Sequence, residues 1–267
     1  MTWLKNVIGT EKAIIAMCHL MAMPGDPYYD EEKGMDYVIE MALKDLNALQ
    51  DGGVDSVMFS NEFSLPYLTD VKTETAVAMG RVIGEIKSHI KIPFGVNVLW
   101  DAKKSLDLAV ATDALFVREI FSGVYASDFG IWNTNAGETV RHQRRLGAKG
   151  VKLLYNIMPE ASSYLGNRKI QDIARTTVFN CKPDALCISG ATAGVETDIE
   201  SLKAVKEIFP QVVVLSNTGV KLQNVEDQLG AVDGAVVGST FKYDGVFENH
   251  VDKKRVKEFM DKVKTLR

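Results

Sequence analysis

No apolar run in the chain approaches the roughly 18 residues that a membrane helix needs. The opening, Met1-Thr2-Trp3-Leu4-Lys5-Asn6, lacks the basic stretch followed by an apolar one that marks a secretory leader. A soluble, cytoplasmic protein with no membrane span is expected. The formal net charge is −4 and the 31 lysines and arginines are dispersed, so no basic tract calls for nucleic acid. There are only three cysteines (Cys18, Cys181, Cys187), with no C-x-x-C pair, and two of them fall in strand-like runs. Buried free thiols are expected rather than disulfides or a zinc site. No H-E-x-x-H motif offers metal ligands, and no G-x-G-x-x-G follows the first strand-like run to hold a dinucleotide. Neither a metal nor a cofactor is expected.

What the sequence does have is alternation. Eight apolar, strand-like runs occur: Ala13 to Cys18, Val54 to Ser60, Phe94 to Leu99, Ala114 to Val117, Val151 to Tyr155, Ala185 to Ser189, Val212 to Leu215 and Ala235 to Val237. Between them lie stretches at helical spacing, among them Met35-Val38-Ile39-Ala42-Leu43-Leu46-Leu49 and Val256-Phe259-Met260-Val263. Strand-helix repeats of this number close a parallel barrel, and 267 residues is the size of one. The expected fold is α/β, a single (β/α)8 TIM barrel forming one domain over residues 1–267; a doubly wound open sheet is the rival. Short turns such as Gly53-Val54-Asp55, Pro183-Asp184 and Val232-Asp233-Gly234 suit returns at the barrel's stability face. Two longer loops, Met21 to Gly34 and Phe121 to Ala136, fall after the first and fourth runs, where a barrel builds function. Tyr125, Phe129 and Trp132 fit the second to act as a lid, or to meet a partner subunit; a homo-oligomer is left open.

Strand parity sorts the polar residues. Residues facing the helices must be apolar, so those of opposite parity point into the barrel or its mouth. This sends Glu62, Asn97, Asp101, Arg118, Lys152, Asn156 and Ser189 inward, with His19 capping the first strand. Charges in a barrel cost several kcal/mol each unless paired, so a cluster of both signs reads as functional. The alternative is a structural network in which Arg118 and Lys152 neutralise Glu62 or Asp101. His89, His142 and His250 are expected at the surface. The last two runs end in Asn217-Thr218-Gly219 and Gly238-Ser239, where glycine lets main-chain N–H groups approach a phosphate. Thr218, Gly219, Gly238 and Ser239 are the candidate phosphate-binding residues.

Several segments carry a family resemblance. Ile15-Ala16-Met17-Cys18-His19-Leu20 with Met23-Pro24-Gly25-Asp26-Pro27-Tyr28, Ser60-Asn61-Glu62 with Pro66-Tyr67, and Gly95-Val96-Asn97-Val98-Leu99 with Asp101-Ala102 resemble the BtpA/SgcQ family. So do the Arg118 strand end, Ser189-Gly190 with Thr192, Gly194 and Asp198, and Asp233 to Ser239 with Lys242 and Asp244-Gly245. The resemblance covers nearly the whole chain. It implies a barrel of the ribulose-phosphate-binding type, in a family named for a role in photosystem I biogenesis whose other members look like sugar-metabolism proteins. There are departures. The family's fifth strand ends like Ala-Asp-Val followed by Lys-His, where this chain has Tyr155-Asn156-Ile157 followed by Pro159-Glu160-Ala161. Its seventh turn is like Gly-Ser-Gly, where this chain reads Ser216-Asn217-Thr218-Gly219. A different substrate or an altered reaction is the expected consequence.

The functional expectation is an enzyme acting on a small phosphorylated sugar or sugar-like metabolite by lyase, isomerase or hydrolase chemistry. Glu62 is the expected acid/base, because a carboxylate among apolar walls can be raised toward working pH. Arg118 and Lys152 would stabilise an oxyanion, with Asn97 and Asn156 orienting hydroxyls; Asn156 counts with the catalytic residues, and His19, Asn97, Asp101 and Ser189 would bind substrate. Lys152 as a Schiff-base nucleophile is the second chemistry. A non-catalytic scaffold for assembly or regulation is the second class of function.

Overall fold

A computed structural model describes residues 2–267. A short helical turn over Leu4–Ile8 leads into β1 (Ala13–His19), and α1 (Gly34–Gly52) returns the chain to β2 (Ser56–Ser60). The repeat continues with α2 (Thr73–Ile86), β3 (Phe94–Asn97), α3 (Ala102–Thr112) and β4 (Phe116–Glu119). A hairpin of β5 (Val124–Ser127) and β6 (Gly130–Asn133) interrupts it before α4 (Ala136–Arg145), β7 (Lys152–Met158) and the short β8 (Ser162–Tyr164). Then come α5 (Ile170–Cys181), β9 (Ala185–Ile188), α6 (Ile199–Ile208), β10 (Val213–Ser216), α7 (Val225–Ala231), β11 (Gly234–Val237) and α8 (Lys253–Lys264).

Eight of these strands close a parallel barrel in the order β1-β11-β10-β9-β7-β4-β3-β2. The chain is therefore a TIM barrel, and the eight apolar runs of the sequence are its staves. Parity works as expected. Val57, Phe59, Val96, Val117, Leu153 and Tyr155 pack outward under the helices, whereas Met17, Met58, Phe116, Leu154, Cys187 and Leu215 fill the interior. Gly95 faces that interior because a Cβ there would stand 2.2 Å from the Phe116 ring. Leu4 and Ile8 plug the lower end, and Trp3 Nε1 donates to the Asp184 carbonyl at 2.7 Å.

The lower rim repeats one device three times. Asp55, Asp184 and Asp233 each precede a strand and accept the N–H of the neighbouring one: Ile14 at 2.8 Å, Leu153 at 2.9 Å and Val214 at 2.8 Å. Each also meets a cation: Arg267 at Asp55, Lys152 at 3.0 Å from Asp184, and Lys206 at 2.7 Å from Asp233. Lys152 is thus the first residue of β7, at the strand's N-terminal end. Parity turns it inward, but at the opposite end of the barrel from the mouth, so its expected role as catalytic residue or Schiff-base nucleophile is withdrawn.

The Phe121 to Ala136 loop is not irregular. Its hairpin pairs antiparallel with β8 in a three-stranded sheet of order β6-β5-β8 beside the mouth. Ile120, Tyr125 and Trp132 form its own apolar cluster with Trp100, Phe129 and Tyr164. Strands of three or four residues leave too short an alternation to register against turn-rich neighbours, which is why the sequence reads as a loop. Cys18, Cys181 and Cys187 are free thiols. No helix among the described residues is long and apolar enough to cross a membrane.

Candidate active site at the barrel mouth

A cavity at the C-terminal ends of the strands is lined by His19, Glu62, Arg118, Glu160, Asn217, the loops at Thr218-Gly219 and Gly238-Ser239, and Phe247. Five strand ends, the β7–β8 connection and the loop after β9 contribute to it, so residues up to 230 positions apart in the chain (Met17 to Phe247) meet here.

Glu62 follows the last residue of β2. Its carboxylate takes a hydrogen bond from Ser60 Oγ at 3.2 Å and lies 3.2 Å from Tyr67 Oη. Burial pushes its pKa up; Arg118 and the two hydroxyls oppose this, and the charge of Glu160 adds to it. Glu62 therefore holds its proton to higher pH than a solvated glutamate.

Arg118 is 6% exposed. Its guanidinium donates to Asn97 Oδ1 at 2.8 Å and to Asn217 Oδ1 at 3.0 Å. Both partners are neutral amides, and no carboxylate ion-pairs with it among the described residues. A buried cation in this state is costly and retains attraction for an anion in the cavity. Below it the network continues: Asn217 Nδ2 donates to Ser189 Oγ at 2.9 Å, Ser189 Oγ reaches Asn156 Oδ1 at 3.5 Å, and Asn97 Nδ2 donates to Glu119. Asn97, Asn156 and Ser189 are thus the layer that holds Arg118 and Asn217, and do not line the cavity themselves. Glu119 is pushed well up by burial, although Arg118 and the Ile120 N–H favour its ionised form. Parity places Glu119 outward, and as the last residue of β4 it is reached there by Asn97 Nδ2 and the Ile120 N–H.

Asp101 is elsewhere too. It caps α3, accepting from Lys104 N at 3.0 Å and pairing with Lys104 Nζ at 2.8 Å. The strand ends at Asn97, so the alternation that sends Asp101 inward has already stopped, and its assignment to substrate binding is corrected.

On the opposite wall, the N–H groups of Gly219, Gly238 and Ser239 have no protein acceptor among the described residues. Gly219 sits at φ +66°, with a hypothetical Cβ 2.2 Å from Glu196 N, so only glycine brings this turn against the 195–196 backbone. Thr218 lies beside it, but its hydroxyl is spent within the protein, accepting from Gly190 N at 2.6 Å and donating to Val195 O at 2.9 Å. His19 is 7% exposed and its Nδ1 has no partner among the described residues. Burial, then the charges of Lys242 and Arg118, hold the imidazole neutral well below its usual range.

Lys242 carries no expectation beyond the resemblance. It is 2% exposed, donates to Phe247 O at 2.7 Å and lies over the rings of Phe63 and Phe247 at 4.9 and 5.3 Å. Burial lowers its pKa. Glu160 and Asn217 stand out in the sequence only as departures from the family's motifs and are given no role there, because each lies in a turn beyond its strand, where parity no longer speaks. The three histidines expected at the surface are peripheral to the mouth: His142 pairs with Asp107 and His250 with Asp45, while His89 ends a short helical turn after α2. No cluster of three or more candidate metal ligands occurs among the described residues.

The model of the BtpA family matches residues 10–265. The chain is 64% identical to the sgc region protein SgcQ of Escherichia coli K12 over 267 residues, covering 100% of both chains. It is 27% identical to the photosystem I biogenesis protein BtpA of Synechocystis sp. PCC 6803, covering 94% of this chain and 88% of that one. Among solved structures it resembles (S)-3-O-geranylgeranylglyceryl phosphate synthase from Thermoplasma acidophilum in complex with its substrate sn-glycerol-1-phosphate. The TM-score is 0.60 at 14% identity, covering 99% of each chain, a likeness of fold alone.

Proposed function

The chain belongs to the BtpA family, and we propose that it is an enzyme acting on a small phosphorylated sugar or sugar-like metabolite. One observation carries the reading. Unsatisfied N–H groups at Gly219, Gly238 and Ser239 share a cavity with a buried guanidinium that has no counter-ion among the described residues, Arg118, and with a carboxyl group whose pKa burial raises, Glu62. The first two are suited to grip a phosphate and a developing oxyanion, and the third to give a proton.

The loops after the seventh and eighth barrel strands are where this fold commonly takes phosphate, which supports the same reading by analogy. The solved synthase that the fold resembles is described with a bound glycerol phosphate. Lys152, paired with Asp184 at the entry of β7, lies at the opposite end of the barrel from this cavity, which weighs against Schiff-base chemistry there.

The test is a thermal-shift series with inorganic phosphate, phosphorylated sugars and their unphosphorylated counterparts, followed by a crystal structure with phosphate. Stabilisation by the phosphorylated compounds alone, with density between Gly219 and Gly238, is the expected result. Equal stabilisation by the unphosphorylated sugars, or density only elsewhere, rules the reading out. If no sugar phosphate binds and Glu62→Gln has no effect in the cell, the barrel is a scaffold rather than an enzyme.

A further inference from the structure

We infer that Glu160 is a second catalytic carboxylate of the mouth, partnering Glu62 in proton transfer between neighbouring carbons of a phosphorylated hydroxy-carbonyl sugar, so that the enzyme is an isomerase or epimerase. This rests on the reading that the Gly219 and Gly238 loops hold the phosphate.

Two carboxylates line the cavity, Glu62 from the end of β2 and Glu160 from the β7–β8 connection. Glu160 Oε2 is buried and has no hydrogen-bond partner among the described residues. A buried acceptor left unmatched is costly, and a site retains one where a ligand supplies the missing donor. The turn that presents Glu160 is held on both sides: Ala161 N donates to Ala191 O at 3.0 Å, and Asp128 N, from the lid sheet, donates to Ala161 O at 3.3 Å. Ser162 Oγ closes the turn on Pro159 O at 2.9 Å. Glu160 is thus fixed by β7, the lid and the loop after β9, a degree of positioning that a surface glutamate does not have.

The other candidate groups are accounted for. Both oxygens of Glu119 are engaged by Asn97 Nδ2 and Ile120 N, and Glu119 does not line the cavity. His19 is flanked by cations that oppose its protonation, and its Nε2 lies 3.1 Å from where a Cβ of Gly238 would stand, on the phosphate side. Lys242 is sequestered behind Phe63 and Phe247. Acid and base thus fall to the two carboxyl groups that line the cavity, Glu62 held by the Ser60 and Tyr67 hydroxyls and Glu160 with a free acceptor oxygen.

The chemistry balances without a co-reactant. The Glu160 carboxylate takes the proton from the hydroxyl-bearing carbon next to the carbonyl, and the C–H electron pair becomes the new C=C bond. The carbonyl π pair moves to oxygen, which takes the proton of the Glu62 carboxyl, giving a neutral enediol. For isomerisation Glu160 returns its proton to the adjacent carbon while the hydroxyl on the first carbon gives its proton to Glu62 and its O–H electron pair forms the new C=O, restoring both side chains. For epimerisation a solvent proton reaches the other face of the same carbon, the enediol hydroxyl gives its proton back to Glu62 as the original C=O re-forms, and Glu160 releases its proton to solvent. Arg118 would stabilise the oxygen as charge builds on it.

The experiment uses the full chain in D2O with dihydroxyacetone phosphate and the pentulose and hexulose phosphates, read by NMR. Inorganic phosphate binding is measured in parallel. The expected result is deuterium at the carbon beside the carbonyl of at least one sugar phosphate, with an isomer or epimer accumulating and the carbon chain and phosphate ester intact. Glu160→Gln should slow exchange by about 100-fold or more, and Glu160→Asp should restore part of it. Both variants should bind inorganic phosphate within about threefold of the unmodified protein. Exchange at the unmodified rate in Glu160→Gln overturns the proposal, as do cleavage products without isomer, or sugar phosphates that bind without exchanging. If inorganic phosphate itself fails to bind, the reading of the loops falls, and the proposal falls with it.

Discussion

Tyr67 Oη lies 3.0 Å from the main-chain carbonyl of Glu62 and 3.2 Å from its carboxylate, while the same ring packs 4.7 Å from Trp100 and 5.4 Å from Phe129, centroid to centroid. One phenol therefore joins the candidate acid to the aromatic underside of the three-stranded sheet. Tyr67 is thus the contact between Glu62 and the β5–β6–β8 sheet.

Removing that hydroxyl has a signed consequence. Burial raises the Glu62 pKa and the Tyr67 hydrogen bond pulls it down, so Tyr67→Phe should raise it further. If the protonated form is the working one, the alkaline limb of the pH-rate profile moves to higher pH. Glu62→Gln should cut turnover by about 100-fold to 10,000-fold while phosphate binding survives, because the amide keeps the shape but transfers no proton. A profile unmoved in Tyr67→Phe, or near-normal turnover in Glu62→Gln, removes Glu62 from the reaction.

Glu119 gives a prediction about stability. Its folded pKa is raised, so the fold favours the protonated form. Its contribution to stability is present below the unfolded pKa and is lost as pH rises through the folded one. Urea unfolding at a series of pH values should show Glu119→Gln gaining on the unmodified protein as pH rises. A difference that is flat in pH contradicts the assignment.

At the lower rim, Lys152 and Asp184 should separate stability from ligand binding. The pair is partly exposed, so Lys152→Gln should cost less than about 1 kcal/mol. Asp184→Ala also strands the Leu153 N–H and should cost about 1–3 kcal/mol. Neither change should alter phosphate affinity in a titration, and loss of binding in Lys152→Gln would restore a role for that lysine in the site.

The glycines of the phosphate loops should respond differently. Gly219→Ala meets backbone at 2.2 Å with a positive φ, so thermal unfolding should occur at clearly lower temperature. Gly238→Ala meets only side chains, the His19 ring at 3.1 Å and Met17 at 3.6 Å, so the fold should largely survive while phosphate affinity falls about tenfold, or 1.4 kcal/mol. Unchanged affinity in Gly238→Ala argues that the anion sits elsewhere.

The barrel is legible in the sequence because buried parallel strands are continuous apolar runs and their parity is strict, which is how Met58, Phe116 and Leu154 can be placed inside from sequence alone. Parity says which way a side chain points, not at which end of the strand it stands, and that is why Lys152 joins the mouth on paper and the base in space. It also stops where the strand stops, so Asp101 is misplaced, and Glu160, legible only as a departure from the family's motif, is given no role. Asn97, Arg118, Asn156 and Ser189 lie within reach of the rule and fall together in one network.

The three aspartate clamps bear on the mouth despite lying at the far end. Each ties the entry of one strand to its neighbour, β1 to β2, β7 to β9 and β10 to β11. A slip of one residue in any of these pairs would turn Glu62, Asn156 or Gly238 toward the helices and bring an apolar neighbour into the cavity. The base thus works as a ruler for the barrel, and insertions or deletions are tolerable in the returning helices but not between a clamp and the strand it starts.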